Sequence, residues 1–196
     1  KLLAHRDICS YLKELNVEGD IVELGCGNGD NVISFALATD KMIYGLDTFT
    51  GYQTRDLEVE ETVNDSLREN FTSNRWSYNK DDIEAKLNNY HLDKNTCLIE
   101  GDISETTKEF VPKSGKISLL YIDCNLYRPA INALNNLKKY FSNHCLVYTD
   151  SGFYEDDDEY LCGEHRALLE FHKQTGYNMY RSFYGNQCAF FIQVVK

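Results

Sequence analysis

Proline is nearly absent from this chain, with two residues in 196, and only 12 glycines accompany them. That leaves no material for a low-complexity linker. Basic residues are also scarce: 20 Lys and Arg face 31 Asp and Glu, for a formal net charge of −11. A surface this negative repels phosphate backbones and excludes nucleic acid as a substrate class. No apolar run approaches the roughly 18 residues of a membrane span. No signal-peptide pattern opens the sequence, so a cytoplasmic location away from membranes is expected. Among the seven cysteines, at 9, 26, 97, 124, 145, 162 and 188, none forms Cys-x-x-Cys. Several fall within apolar runs and read as buried, reduced thiols, with a zinc site from Cys162 and His165 as the minor alternative.

What is present suits one globular domain over residues 1–196: 42% hydrophobic and 13% aromatic residues can enclose a substantial core. Residues 5–15 carry Ile8, Leu12 and Leu15 on one helical face. Near-continuous apolar runs then predict strands at 20–25, 42–47, 96–100, 117–123 and 145–149, as for parallel strands covered on both faces. Helical patterns fall at 31–38, 104–110, 129–141 and 160–174, with Pro129 fitting a first helical turn. Two last strands, 178–184 and 188–195, flank a hairpin-like Gly185-Asn186-Gln187. The order predicts a doubly wound, mostly parallel seven-stranded α/β sheet, Rossmann-like, with an antiparallel C-terminal strand pair. The polar segment 52–94 interrupts it, with helices around 60–73 and 81–90. It is either a lid over the carboxyl edge of the sheet or a helical pair that merely packs on the surface.

The most informative stretch is Asp-Ile-Val-Glu-Leu-Gly-Cys-Gly-Asn-Gly at 20–29, a strand running into three glycines at alternate positions and then a helix. Backbone without Cβ atoms lets a ligand approach, and the following helix presents free N–H groups. A dinucleotide fingerprint would need glycine where Asp30 stands, and a carboxylate there, with Glu23 upstream, opposes a pyrophosphate. This disfavours an NAD-dependent oxidoreductase and fits a nucleoside-type cofactor bearing positive charge. Acidic residues close successive strands at Glu23, Asp47, Asp102, Asp123 and Asp150, the edge where ligands bind in open α/β sheets. Asp47 follows Gly29 by 18 residues, close to the offset at which a carboxylate reaches ribose hydroxyls. For Asp102 and Asp150 a turn or helix-cap role is an equal alternative. The run Glu155-Asp156-Asp157-Asp158-Glu159 lacks the alternation of an EF-hand loop and reads as a solvated loop at the site rim.

The strand and loop Val-Glu-Leu-Gly-Cys-Gly-Asn-Gly, with the later Gly-Leu-Asp, resemble the first motifs of class I S-adenosylmethionine-dependent methyltransferases. Gly-Leu-Asp-Thr-Phe-Thr-Gly-Tyr (45–52), Arg-Glu-Asn-Phe (68–71) and Glu-Gly-Asp-Ile-Ser-Glu-Thr (100–106) add detail, as do Leu-Tyr-Ile-Asp-Cys-Asn-Leu-Tyr (120–127) and Tyr-Thr-Asp-Ser-Gly (148–152). These are similar to the macrocin (TylF-type) O-methyltransferases, which methylate sugars of macrolide antibiotics. The resemblance implies that Glu23, Gly25, Gly27 and Gly29 line the methionine moiety. Asp47 would hold the ribose, Thr48 and Phe49 would lie beside the adenine, and Asp102 and Ile103 would meet the ring and its amino group. It also implies Mg2+ between Asp123 and Asp150, a small sugar-like acceptor, and a homodimer or higher assembly. Two family carboxylates are replaced here, in Asp123-Cys124-Asn125 and Asp150-Ser151, which leaves metal dependence open. Asp123 and His165 are the candidates for the base that deprotonates the acceptor, and Tyr127 and Arg128 for acceptor contacts. A non-catalytic cofactor-binding module is the remaining alternative.

Overall fold

The computed structural model describes residues 2–57, 76–149, 163–181 and 190–195. The expected helix at 60–73, the 68–71 motif, Asp150, the acidic run 155–159, Cys162, the 185–187 turn and Cys188 lie outside the described residues.

Two strands, β1 (Asp20–Leu24) and β4 (Ile117–Ile122), are buried at every position, because helices cover both faces of the sheet. They lie side by side and parallel at its centre. On the β1 side follow β2 (Ile43–Asp47) and β3 (Thr96–Glu100), both parallel. On the β4 side follow β5 (Phe141–Thr149), then β7 (Phe190–Gln193) and β6 (Asn178–Arg181), these last two pairings antiparallel. The spatial order is β3-β2-β1-β4-β5-β7-β6. The chain therefore winds outward in both directions from a switch point between β1 and β4, and a crevice opens beyond their carboxyl ends.

Each face has its own core. On one, α1 (Leu2–Glu14), α2 (Asp30–Ala38) and α4 (Lys80–Asn89) pack Leu12, Phe35 and Ile83 against Ile21, Leu119 and Tyr121. On the other, α5 (Ile103–Glu109), α6 (Tyr127–Leu137) and α7 (Gly163–Thr175) pack Ile103, Leu134 and Phe171 against Leu24, Ile122 and Val147. A short α3 (Thr54–Leu57) follows β2.

Several boundaries differ from the sequence reading. The helix expected over 129–141 starts at Tyr127 and ends at Leu137. Pro129 still falls where its missing N–H would have no intrahelical partner. A 3-10 turn over Lys138–Tyr140 leads into β5 four residues before the apolar run suggests. Phe141 pairs with Ile117, and Ser142 Oγ donates to the carbonyl of Glu18 at 2.6 Å, so polar residues here serve the strand and hide it from a hydrophobic pattern. Of the 52–94 insertion, the described part is packed in place. Asn79 caps α4 by accepting the Asp81 N–H at 2.9 Å, while Ile83 and Leu87 are buried.

Candidate functional site

The three glycines of the β1–α2 loop all have positive φ, at +83° for Gly25, +49° for Gly27 and +81° for Gly29, but they are held there for different reasons. A Cβ on Gly25 would lie 2.3 Å from the carbonyl oxygen of Asp123, so this glycine lets the ends of β1 and β4 meet. On Gly29 a Cβ would fall 2.4 Å from Cγ2 of Ile83, so that position admits α4. On Gly27 it would meet only the Tyr78 ring, at 3.4 Å. Gly27 therefore leaves open space where the loop borders a cavity of about 410 Å³.

Asp47 ties this loop to the end of β2. Its Oδ2 accepts the Gly27 N–H and its Oδ1 the Phe49 N–H, each at 2.8 Å. Burial pushes the carboxyl above its ordinary range, and the backbone N–H groups of Gly27 and Phe49 pull it back. Thr48 hydrogen-bonds this carboxylate as well, and Asp47 borders the cavity as an acceptor. Thr48 also borders the cavity, its Oγ1 donating to the carbonyl of Gly51 at 2.7 Å. Phe49 is placed otherwise than expected: it is 4% exposed and belongs to the core with Ile83 and Leu87. The aromatic groups on the cavity wall are Trp76, Tyr78 and Tyr52. Phe49 still shapes the site, because its carbonyl accepts the Tyr78 N–H and the Ser77 Oγ–H, each at 3.0 Å, which fastens the aromatic segment to β2.

Beyond β3, Asp102 caps α5 by accepting the Ser104 N–H at 2.8 Å, and pairs with Arg55 from α3. It lines the cavity beside Ile103, so cap and cavity wall are one residue. Beyond β4, Asp123 shares Asn31 with Glu23: Asn31 Nδ2 donates to Glu23 Oε1 at 2.7 Å and to Asp123 Oδ2 at 3.2 Å. Glu23 is fully buried and does not border the cavity, so it supports the loop from within β1. Asn125, at φ +61°, donates from Nδ2 to the hydroxyl of Tyr52 at 2.9 Å. Burial pushes that phenol well above its ordinary value. The Asn125 N–H donates to Glu164 at 2.9 Å, which docks the start of α7 on this loop.

His165 is 7% exposed and lies 3.3 Å from Thr149 Oγ1, in contact with the end of β5 rather than on the cavity wall. Tyr127 donates to Glu170 at 2.7 Å, and Arg128 donates to the carbonyl of Arg55 at 3.1 Å. Among the described residues no group of three metal-ligating side chains forms. Asp123 is the described member of the expected metal pair, since Asp150 lies outside them.

The electrostatics of the wall are one-sided. Asp30, Asp47, Asp56, Asp102 and Asp123 border the cavity, and no lysine or arginine does so among the described residues. Arg55 pairs with Asp102 and stands, with Arg128, 3.8 Å from Asp56, so two of these charges are offset from behind the wall. The balance stays acidic, which opposes a pyrophosphate and draws a cation in. Asp56, Trp76 and Tyr78 sit in a segment with no hydrophobic period and carry no signal in the sequence, while Tyr52 closes the 45–52 motif without a role assigned to it.

The strand order, with its cleft beside β1, defines a doubly wound α/β fold with a ligand crevice at the switch point, and a comparison by sequence gives the family. The profile of a methyltransferase domain matches residues 22–151, more than half of the chain, and the chain belongs to that family. None of the curated proteins matches it. Among solved structures, the O-methyltransferase NovP superposes with a TM-score of 0.80 at 18% identity, over 100% of this chain and 79% of that one. CalS11, a calicheamicin methyltransferase, gives 0.71 at 23% identity, over 98% and 77%. TomG, an O-methyltransferase of tomaymycin synthesis from Streptomyces achromogenes, gives 0.62 at 12% identity, over 98% and 80%. At these identities the likeness establishes the fold. No described helix is long and apolar enough to cross a membrane.

Proposed function

We propose that this chain transfers the methyl group of S-adenosylmethionine to a hydroxyl of a small acceptor, a sugar of a glycan or secondary metabolite. The observation that carries this is the cavity wall, with five aspartates and no cation among the described residues around a backbone bare of side chains at Gly27. Family membership supports methyl transfer. Support for the acceptor class is the likeness to NovP, an O-methyltransferase, and to CalS11, described as a TDP-rhamnose 3'-O-methyltransferase.

The donor, when bound, supplies an electrophilic methyl on a sulfonium centre. The chain's own residues position and deprotonate. Gly27 leaves room for the amino-acid end of the donor, and Asp47, oriented by the N–H groups of Gly27 and Phe49, faces the cavity as the acceptor for vicinal hydroxyls. Trp76 and Tyr78 give the wall flat aromatic faces. Holding two reactants in line removes most of the entropic barrier to such a transfer. Asp123 lies on the wall with Asn31 holding its Oδ2, and in this reading it receives the acceptor's proton. Asp123, with Asp150, would also be the place for a divalent cation that lowers the hydroxyl's pKa.

Incubation with methyl-labelled S-adenosylmethionine and a panel of sugars and nucleotide sugars tests the reading, with Mg2+ and with chelator in parallel. Label appearing in one acceptor class, and lost with Asp123→Asn, is expected. Donor binding with no label transferred to any hydroxylated acceptor would favour the non-catalytic module.

A further inference from the structure

Two loops from opposite sides of β1 meet beside the cavity. In the strand order β1 lies between β2 and β4, so the ends of those two strands are two strand spacings, about 9–10 Å, apart. The connection from β2 to α3 carries Tyr52, and the connection from β4 to α6 carries Asn125. Asn125 Nδ2 donates to the Tyr52 hydroxyl at 2.9 Å, and both residues border the cavity. The contact therefore spans the end of β1, where Gly25 and Gly27 line the same cavity.

The two halves of this contact are built differently. Asn125 is a fixed post. Its φ of +61° lies in the left-handed region, which asparagine tolerates better than most side chains. Its N–H donates at 2.9 Å to Glu164, which is 2% exposed. Its carbonyl lies over Gly163, where a Cβ would come within 2.1 Å of the oxygen. A left-handed asparagine, a buried carboxylate and a glycine at φ +57° each cost stability, and all three converge on one residue. Strain of this kind persists where the surroundings fix it, and it gathers at ligand clamps.

Tyr52 is the movable half. It follows Gly51, at φ +87°, and α3 behind it is moored by Arg128, which donates to the Arg55 carbonyl at 3.1 Å. A swing of the Tyr52 side chain thus breaks the crossing without displacing α3. The joining hydrogen bond is between neutral groups, and such a bond shifts a two-state equilibrium by roughly two- to tenfold.

We propose that Tyr52 is a gate on the donor site. Closed on Asn125, it bars the path between the glycine loop and solvent; swung away, it lets donor in and product out. This rests on the donor reading given above. The contact is made by the chain's own atoms, so it acts on entry and exit alike. Weakening it raises both rate constants by one factor and leaves their ratio unchanged. A residue that touched the ligand would change the exit rate and the affinity instead.

The test is stopped-flow mixing with S-adenosylhomocysteine, followed through the fluorescence of Trp76, the single tryptophan and a residue of the cavity wall. Calorimetry on the same preparations gives Kd. Tyr52→Phe keeps the ring and removes the hydroxyl. Asn125→Gly removes the amide at a backbone conformation that glycine adopts readily. Each should raise the association and dissociation rates together, by about three- to tenfold, with Kd within about twofold of the wild type. The double variant should do no more than either single one, because both remove the same hydrogen bond. Melting curves check the fold, and Tyr52→Phe decides alone where Asn125→Gly does not fold. Unchanged rates in Tyr52→Phe, or a faster exit with unchanged entry and weakened affinity, overturn the gate and leave the donor reading standing. A double variant in which the two effects multiply also overturns it. A wild type that binds no S-adenosylhomocysteine overturns both.

Discussion

Three glycines in one loop with three different neighbours predict three different phenotypes, and the contrast between Gly25 and Gly27 is the sharpest. In Gly25→Ala the new methyl would lie 2.3 Å from the Asp123 carbonyl oxygen and 2.9 Å from Cys124 Cα, both backbone atoms that cannot turn aside. Left-handed backbone costs an alanine about 1–2 kcal/mol, and forced overpacking adds about 1–3 kcal/mol. The sum is about 2–5 kcal/mol, which for a chain of this size lowers the thermal midpoint by roughly 4–20 °C. In Gly27→Ala the methyl meets only the Tyr78 ring at 3.4 Å. The fold should then lose only the backbone cost of about 1–2 kcal/mol, or roughly 2–8 °C. That methyl borders the cavity, however, so affinity for S-adenosylhomocysteine should fall by at least about tenfold. Melting curves and calorimetry on the same preparations separate the effects. A Gly25→Ala protein that melts with the wild type refutes the packing argument. A Gly27→Ala protein that binds the ligand normally refutes the placement of the ligand.

Asn31→Asp would set a third carboxylate against Glu23 and Asp123 in place of the donor they share, and should cost about 1–3 kcal/mol, measured by urea denaturation at pH 7.5. Stability equal to wild type would show that the shared N–H is dispensable. Burial raises the folded-state pKa of Asp56 above its ordinary 3.8, so its penalty is present above the folded value and is relieved as pH falls through it. Asp56→Asn should therefore raise the melting temperature at pH 7–8, by about 2–4 °C for each kcal/mol relieved. The gain should shrink toward pH 4, and a gain independent of pH would contradict the argument. Burial raises the thiols of Cys9, to about 11, and of Cys26 and Cys124. Brief alkylation of the native protein at pH 7.5 followed by peptide mass analysis should leave all three unmodified. Rapid labelling of Cys26 would mean that the loop opens.

A strand is readable where burial on both faces writes a near-continuous apolar run, as in Ile117–Ile122, broken only by Ser118. Ser142, Asn143 and His144 break that signal, which is why the start of β5 was missed. Asp47 and the glycine loop were legible because local geometry, a strand end and a left-handed turn, selects those residue types. The reason for Gly25 was not, since its neighbour Asp123 lies nearly a hundred positions away and becomes adjacent only when β1 pairs with β4. Asp56 escaped for a related reason: a four-residue helix has no period to read, and burial of its carboxylate depends on α6. The aromatic wall likewise depends on how the 76–78 segment is pinned to Phe49.

The central claim is that a sulfonium nucleoside occupies the acidic cavity beside Gly27. Calorimetric titration of the intact chain with S-adenosylmethionine tests it most directly. One equivalent should bind, with affinity reduced at least about tenfold in Asp47→Ala. Absence of any binding, or an Asp47→Ala protein that binds as the wild type does, would contradict it.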